Sequence, residues 1–230
     1  MAVERKNAKI VMFDFDGTLA SPFSRTAWER LWSHLGYPLS DCVKYHKLYS
    51  SKAITYEEWF NITQNQFKVK GLTVSNIKEV ASQINLLDDA EETIGELRNK
   101  GILLFIVSGS VREVISEVLG TLEPNFEDIK ANEFVFQDGI LSEIIATKYD
   151  FEGKAEYVKK IADEYVVSPS EILFIGNSFN DTSVHLAGAR TLCINPADTN
   201  YKNSIEWHDY IKETSSLKDI LPYVFAEGSK

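Results

Sequence analysis

Apolar residues gather in short dense runs, each closed by glycine or small polar residues, and longer stretches of helical spacing lie between them. Residues 9–15 form the first run, and 102–107, 171–175 and 190–194 repeat the pattern. Their length and β-rich content predict buried strands. Segments 88–100, 111–119, 154–165 and 181–187 have amphipathic helical spacing, and three of them stop at Gly101, Gly120 and Gly188, so they are predicted helices. Asp88 or Asp89 is placed to cap the first. Residues 134–137 and 140–145 flank Asp138-Gly139, a pair suited to a tight type I′ turn, and predict a hairpin. Strands alternating with helices argue an α/β fold with a mainly parallel sheet.

Residues 21–86 break this alternation. Helical patterns cover 23–35, 41–49, 56–69 and 74–84, with breaks at Gly36-Tyr37-Pro38 and Lys70-Gly71. This segment reads as a helical domain inserted after the first strand, with 1–20 and 87–230 forming the core domain. Trp28, Leu31, Trp32 and Leu35 recur at helical spacing and are expected to pack the insertion's own core. Phe23 and Trp59 are the aromatic candidates for a ligand pocket.

Composition narrows the function. The 230 residues carry 34 acidic against 24 basic side chains, a net charge of -10, which argues against nucleic acid or an anionic membrane surface as partner. No apolar run approaches the roughly 18 residues of a membrane span. The first nine residues are polar and no signal-peptide core follows. With two cysteines and no CxxC, a reduced cytoplasmic setting is expected. Cys42 and Cys193 lie outside every motif and read as ordinary thiols, and the four histidines show no metal-binding spacing.

The chemistry clusters at strand ends. The first strand closes in Asp14-Phe15-Asp16-Gly17-Thr18, the second in Ser108-Gly109, and the third in Gly176-Asn177 with Asn180-Asp181 beyond. In a parallel sheet, the carboxyl ends of strands open onto one crevice. On an extended strand, Asp14 and Asp16 would share a face, where two carboxylates repel unless a cation or proton intervenes. Mg²⁺, which prefers oxygen ligands, suits them. Asn177 and Asp181 add further oxygens, Ser108 a hydroxyl, Gly109 an unobstructed N–H, and Lys154 a positive charge. Together these residue types suit phosphoryl transfer. Each motif alone has a plain reading as a solvated turn, a surface lysine or a helix cap at Asp181. The ordered set carries the inference.

That ordered set resembles the haloacid dehalogenase-like superfamily. Asp14-Phe15-Asp16-Gly17-Thr18-Leu19 is similar to its first motif and Val107-Ser108-Gly109 to its second. Lys154 stands at its third, and Gly176-Asn177-Ser178-Phe179-Asn180-Asp181 is similar to its fourth, in the phosphoserine phosphatase-like form. The resemblance implies a Rossmann-like three-layer core with a helical cap. It implies Asp14 as nucleophile, Asp16 as general acid and base, and Ser108, Gly109 and Lys154 as phosphate contacts. Mg²⁺ would be held by Asp14, the Asp16 carbonyl and Asn177, with Asp181 nearby, and Thr18 and Asn180 would be supporting residues. Asp16 favours phosphate chemistry, since halide release needs no proton donor.

Two departures qualify the resemblance. Asn177 replaces the usual aspartate, which keeps an oxygen but removes a charge and predicts weaker metal binding. No acid stands in Ala20-Ser21-Pro22-Phe23-Ser24 and no arginine in residues 56–67. The partners of the substrate amine and carboxylate are thereby missing, which argues against phosphoserine, although Arg25 offers a displaced contact. The expected activity is Mg²⁺-dependent hydrolysis of a small phosphorylated metabolite through an aspartyl-phosphate. The rivals are transfer to a hydroxyl acceptor and a non-catalytic binding protein on the same fold.

Overall fold

The computed structural model describes residues 7–22, 25–197 and 207–225. Strand β1 (Ile10–Phe13) is followed by a tight helical turn, Phe15–Leu19. Four helices come next: α1 (Ala27–His34), α2 (Leu39–Ser50), α3 (Tyr56–Val69) and α4 (Val74–Ala81). Then follow α5 (Ala90–Asn99), β2 (Leu103–Val111), α6 (Arg112–Leu119), β3 (Asp128–Gln137), β4 (Ile140–Ile145) and α7 (Gly153–Glu164). The chain continues through β5 (Ile172–Gly176), a 3₁₀ segment Phe179–Ala187, β6 (Arg190–Ile194), β7 (Asp209–Ile211) and α8 (Leu221–Val224).

The seven strands form one sheet in the order β4-β3-β2-β1-β5-β6-β7. All neighbours are parallel except the β3–β4 hairpin. At its turn, Asp138 and Gly139 have φ of 51° and 79°, the two positive values a type I′ turn requires. Along β1 the side chains alternate. Ile10 and Met12 join the apolar layer of Tyr157, Val158 and Ile161 on α7. Val11 and Phe13 join Ile94 and Leu97 on α5 and Val114 and Ile115 on α6. The sheet is thus the middle of three layers, as expected for the α/β class.

Several boundaries differ from expectation. The first strand ends at Phe13, because the chain turns at Asp14 into a helical turn. Asp14 and Asp16 therefore do not share a strand face. The second strand runs on through Ser108-Gly109-Ser110, and the hairpin's first strand begins at Asp128. Residues 181–187 wind as a 3₁₀ helix rather than an α-helix. Asp89 sits at the N-cap of α5 with a left-handed φ of 58°, and its carboxylate accepts from the Ser216 hydroxyl instead of capping the helix. Strand β7 and helix α8 were not anticipated.

Within the insertion, α1 and α3 open with reciprocal capping boxes, Thr26 with Glu29 and Thr55 with Glu58. The helices enclose no separate core. Leu31, Trp32, Phe67 and Leu72 belong to the same apolar cluster as Val11 and Phe13, so the insertion is packed continuously onto the sheet layer. Among the described residues, no helix is long and apolar enough to cross a membrane.

Candidate active site

Asp14 is the first residue past β1, buried, and its N–H still donates to the Ile175 carbonyl at 2.9 Å. This bond ties Asp14 to the carboxyl end of β5, where Asn177 follows. Asp16, in the turn beyond, accepts the Ala27 N–H at 3.0 Å, so α1 begins on an Asp16 oxygen. Burial and the neighbouring Asp14 charge outweigh the nearby Ser110 hydroxyl and the Ala27 N–H and raise the Asp16 carboxyl to about 7. At that value it holds a proton through part of the neutral range.

Lys154, on the first turn of α7, is only 1% exposed, and its ammonium lies 3.0 Å from Asp14 Oδ1 and 2.5 Å from Asp181 Oδ1. Burial alone would lower its pKa, but Asp14 and Asp181 together hold it above the usual lysine value. The other Asp181 oxygen accepts the N–H groups of Asn177 and Ser178, each at 3.0 Å. Asp181 is thus not the N-cap of its segment. It is the third residue reaching back to the cap, and it braces Lys154 with its free oxygen.

Ser108 is buried, and its hydroxyl accepts the Ser110 N–H at 3.2 Å. Gly109 has the closest approach in the site. A Cβ there would fall 1.3 Å from Asp150 Oδ1. Asp150 itself is buried, and its other oxygen accepts the Tyr56 hydroxyl at 2.6 Å. Burial lifts the Asp150 carboxyl to about 6 against the pull of Tyr56 and Lys154, with Asp14 and Asp181 adding to the rise.

These residues line one cavity of about 360 Å³. The strand ends and the segments after them contribute Asp14, Asp16, Ser108, Gly109, Asn177 and Asn180, and the approach to α7 and its first turn contribute Asp150 and Lys154. The insertion faces them with Trp28, Glu29, Cys42, Val43, His46, Lys47 and Trp59. Trp59 stacks on Tyr49 with ring centroids 5.2 Å apart. Thr18 is buried nearby, its hydroxyl unpartnered among the described residues. Asn180 lines the cavity, and the Lys154 ammonium is held by Asp14 and Asp181. Arg25 is exposed, donates to the Ser33 hydroxyl at 3.4 Å and is not part of the cavity wall. Phe23 lies outside the described residues.

The sequence missed several members. Trp28, read as core, sends its indole N–H to the Gly109 carbonyl at 2.9 Å. A half-buried indole on an amphipathic helix needs such a partner, and that need was the available signal. Cys42 and His46 line the cavity rather than standing apart from it. Glu29 also lines the cavity, with its carboxylate engaged by the Thr26 N–H at 3.0 Å. Asp150 had no motif to mark it.

Among the described residues, no three His, Cys, Asp or Glu side chains stand ready as an ion cage. A hard cation nevertheless fits the donor set. Asp14 and Asp181 hold the Lys154 ammonium between them, and Asp14, Asp16 and Asp150 also line the cavity. Asp14 and Asn177, two side chains that carry oxygen donors, both line the cavity.

The sequence profile of the haloacid dehalogenase-like hydrolases matches residues 8–184. Phosphoserine phosphatase SerB2 of Mycobacterium tuberculosis is 32% identical over 125 residues, which is 54% of this chain and 30% of that protein. The phosphoserine phosphatase of Methanocaldococcus jannaschii is 24% identical over 222 residues, covering 95% of this chain and 99% of that one. A solved structure, described as a phospho-aspartyl intermediate analogue of phosphoserine phosphatase, shares the fold. It has a TM-score of 0.76 and 22% identity, covering 95% of this chain and 100% of that one. The chain belongs to the haloacid dehalogenase-like hydrolases, in their phosphoserine phosphatase-like branch.

Proposed function

We propose that this hydrolase cleaves the phosphate ester of a small molecule, with Asp14 as nucleophile and Mg²⁺ as cofactor, beneath a cap formed by residues 21–86. The observation that carries the reading is convergence. Asp14, Asp16, Ser108, Gly109, Lys154 and Asn177, from four separated stretches of chain, line one cavity.

The phosphoryl group enters beside the Ser108 hydroxyl and the Gly109 N–H, with Lys154 balancing its charge. An Asp14 carboxylate oxygen attacks phosphorus and the ester oxygen leaves, taking the proton carried by Asp16. Asp16 then removes a proton from water, which attacks the aspartyl-phosphate, breaks its P–O bond and restores Asp14. Asp14, the Asp16 carbonyl and Asn177 would hold Mg²⁺, which supplies positive charge to stabilise the phosphoryl oxygens. The cap side chains Val43, Trp59, His46 and Lys47 meet the alcohol part of the ester and shield the site from bulk water. No arginine lines this wall among the described residues, which favours an ester other than phosphoserine.

The test is phosphate release from a panel of phosphomonoesters, phosphoserine included, in Mg²⁺ buffer, for the wild type and Asp14→Asn. Turnover of at least one ester by the wild type and none by the variant is expected. No release from any ester would overturn the reading. Adding hydroxyl acceptors and analysing products separates hydrolysis from transfer.

A further inference from the structure

The β2 segment Ser108-Gly109-Ser110 lies where its pairing with β3 is interrupted. The pairing of β2 with β3 shifts register between Val107 and Val111, so the regular ladder is interrupted there. Side chains take over there. The Gly109 carbonyl accepts two N–H donors, Asn132 Nδ2 at 2.7 Å and Trp28 Nε1 at 2.9 Å. Asn132 also donates to the Ser110 carbonyl at 3.2 Å. Its own oxygen accepts the Thr147 N–H at 2.7 Å. It is 0% exposed, and both ends of its amide are engaged.

This arrangement fixes a peptide plane. With the Gly109 carbonyl drawn toward Asn132 and Trp28, the N–H of the same peptide, that of Ser110, points the other way, where it meets Ser108 Oγ at 3.2 Å. The Ser108 hydroxyl is thereby oriented through the peptide that Asn132 and Trp28 hold. Asn132 belongs to β3, whereas Trp28 belongs to α1 of the insertion.

We infer that Asn132 and Trp28 are positioning residues for the phosphate-binding segment, and that the Trp28 indole makes phosphate affinity depend on the seating of the cap. This rests on the reading of Ser108 and Gly109 as phosphate contacts. Neither side chain touches the reacting atoms. Both act through the Gly109 carbonyl.

Trp28→Phe removes the N–H and keeps a ring against Phe60, Phe67 and Phe134, which the indole now contacts. Calorimetric binding of inorganic phosphate in Mg²⁺ buffer, steady-state kinetics on the best ester, and thermal midpoints are measured for wild type, Trp28→Phe, Asn132→Ala and the double variant. The loss of one neutral hydrogen bond predicts about 3- to 10-fold weaker phosphate binding in Trp28→Phe. KM should rise in step and kcat should change little, as for a contact equally present before and during reaction. The double variant, which strands the carbonyl, should lose more than the product of the single effects. Should Asn132→Ala fail to fold, Trp28→Phe decides alone. A Trp28→Phe protein with lowered thermal midpoint but wild-type phosphate affinity and KM would show packing only and overturn the inference, leaving the proposed function intact. A wild type that neither binds phosphate nor turns over any ester would overturn both.

Discussion

The Lys154 ammonium lies 2.5 Å from Asp181 Oδ1, and the two side chains are 1% and 0% exposed. A charged pair sealed in this way stands only while every other lone pair and proton is matched. Here the second Asp181 oxygen accepts two main-chain N–H groups, and the ammonium donates to Asp14 as well as Asp181. Asp181→Asn removes the charge without changing the volume. It should cost on the order of 3 kcal/mol in urea unfolding and lower kcat more than it raises KM, because Lys154 loses its brace. A variant of unchanged stability would remove Asp181 from this role.

At Gly109 the close approach of Asp150 leaves no room for a side chain. Gly109→Ala should destabilise by about 1–3 kcal/mol through overpacking and raise KM for every ester. Truncating Asp150 to Ala in the same protein removes the two nearest atoms and should restore part of the stability. Thermal melts of the single and double variants check both statements.

Asp150 also sets a pH dependence. Its folded carboxyl is raised to about 6 from the model-peptide value of 3.8, chiefly by burial. As pH climbs from 4, the unfolded chain ionises first, so this group subtracts stability progressively until about pH 6 and fully above it. Asp150→Asn retains an oxygen for the Tyr56 hydroxyl and cannot ionise. It should gain on the order of 3 kcal/mol at pH 8 and nothing at pH 3.5. Urea midpoints across that range would reveal the crossover, and a gain independent of pH would refute the assignment.

Asn177 offers a test of the metal. Asn177→Asp adds a charge to the oxygen donors at the cavity wall and should lower the Mg²⁺ concentration for half-maximal binding on the order of tenfold, read by calorimetry as well as by activity. An unchanged Mg²⁺ requirement would count against Asn177 as a ligand.

Much of this was legible in the sequence because burial leaves a dense apolar signature. Residues 172–175 and 10–13 lie wholly inside and announce themselves as strands, and the functional side chains follow directly at their ends. The parts that escaped depend on tertiary geometry. Strand β7 has three residues, Asp-Tyr-Ile, none of them fully buried, and so has no apolar run. Asn132 is one polar residue inside a strand, and its importance arises from an interruption in pairing with β2. Trp28 shares its helical spacing with Leu31 and Trp32, which are true core. Only the arrival of Gly109, 81 residues later, distinguishes it.

The position of β1 in the sheet bears on how the protein is made. The strand that delivers Asp14 pairs on one side with Leu103–Ile106 and on the other with Ile172–Ile175. A chain emerging from the ribosome presents four consecutive apolar residues, Ile10 to Phe13, long before either neighbour exists. The second neighbour arrives only after the insertion and α7 have been synthesised. Such non-local pairing is slow to form and leaves apolar surface open to wrong partners meanwhile. Asn177 and Asp181 follow β5, and the Asp14 N–H is tied to the Ile175 carbonyl, so the gain of phosphate binding during refolding should coincide with the closing of the sheet.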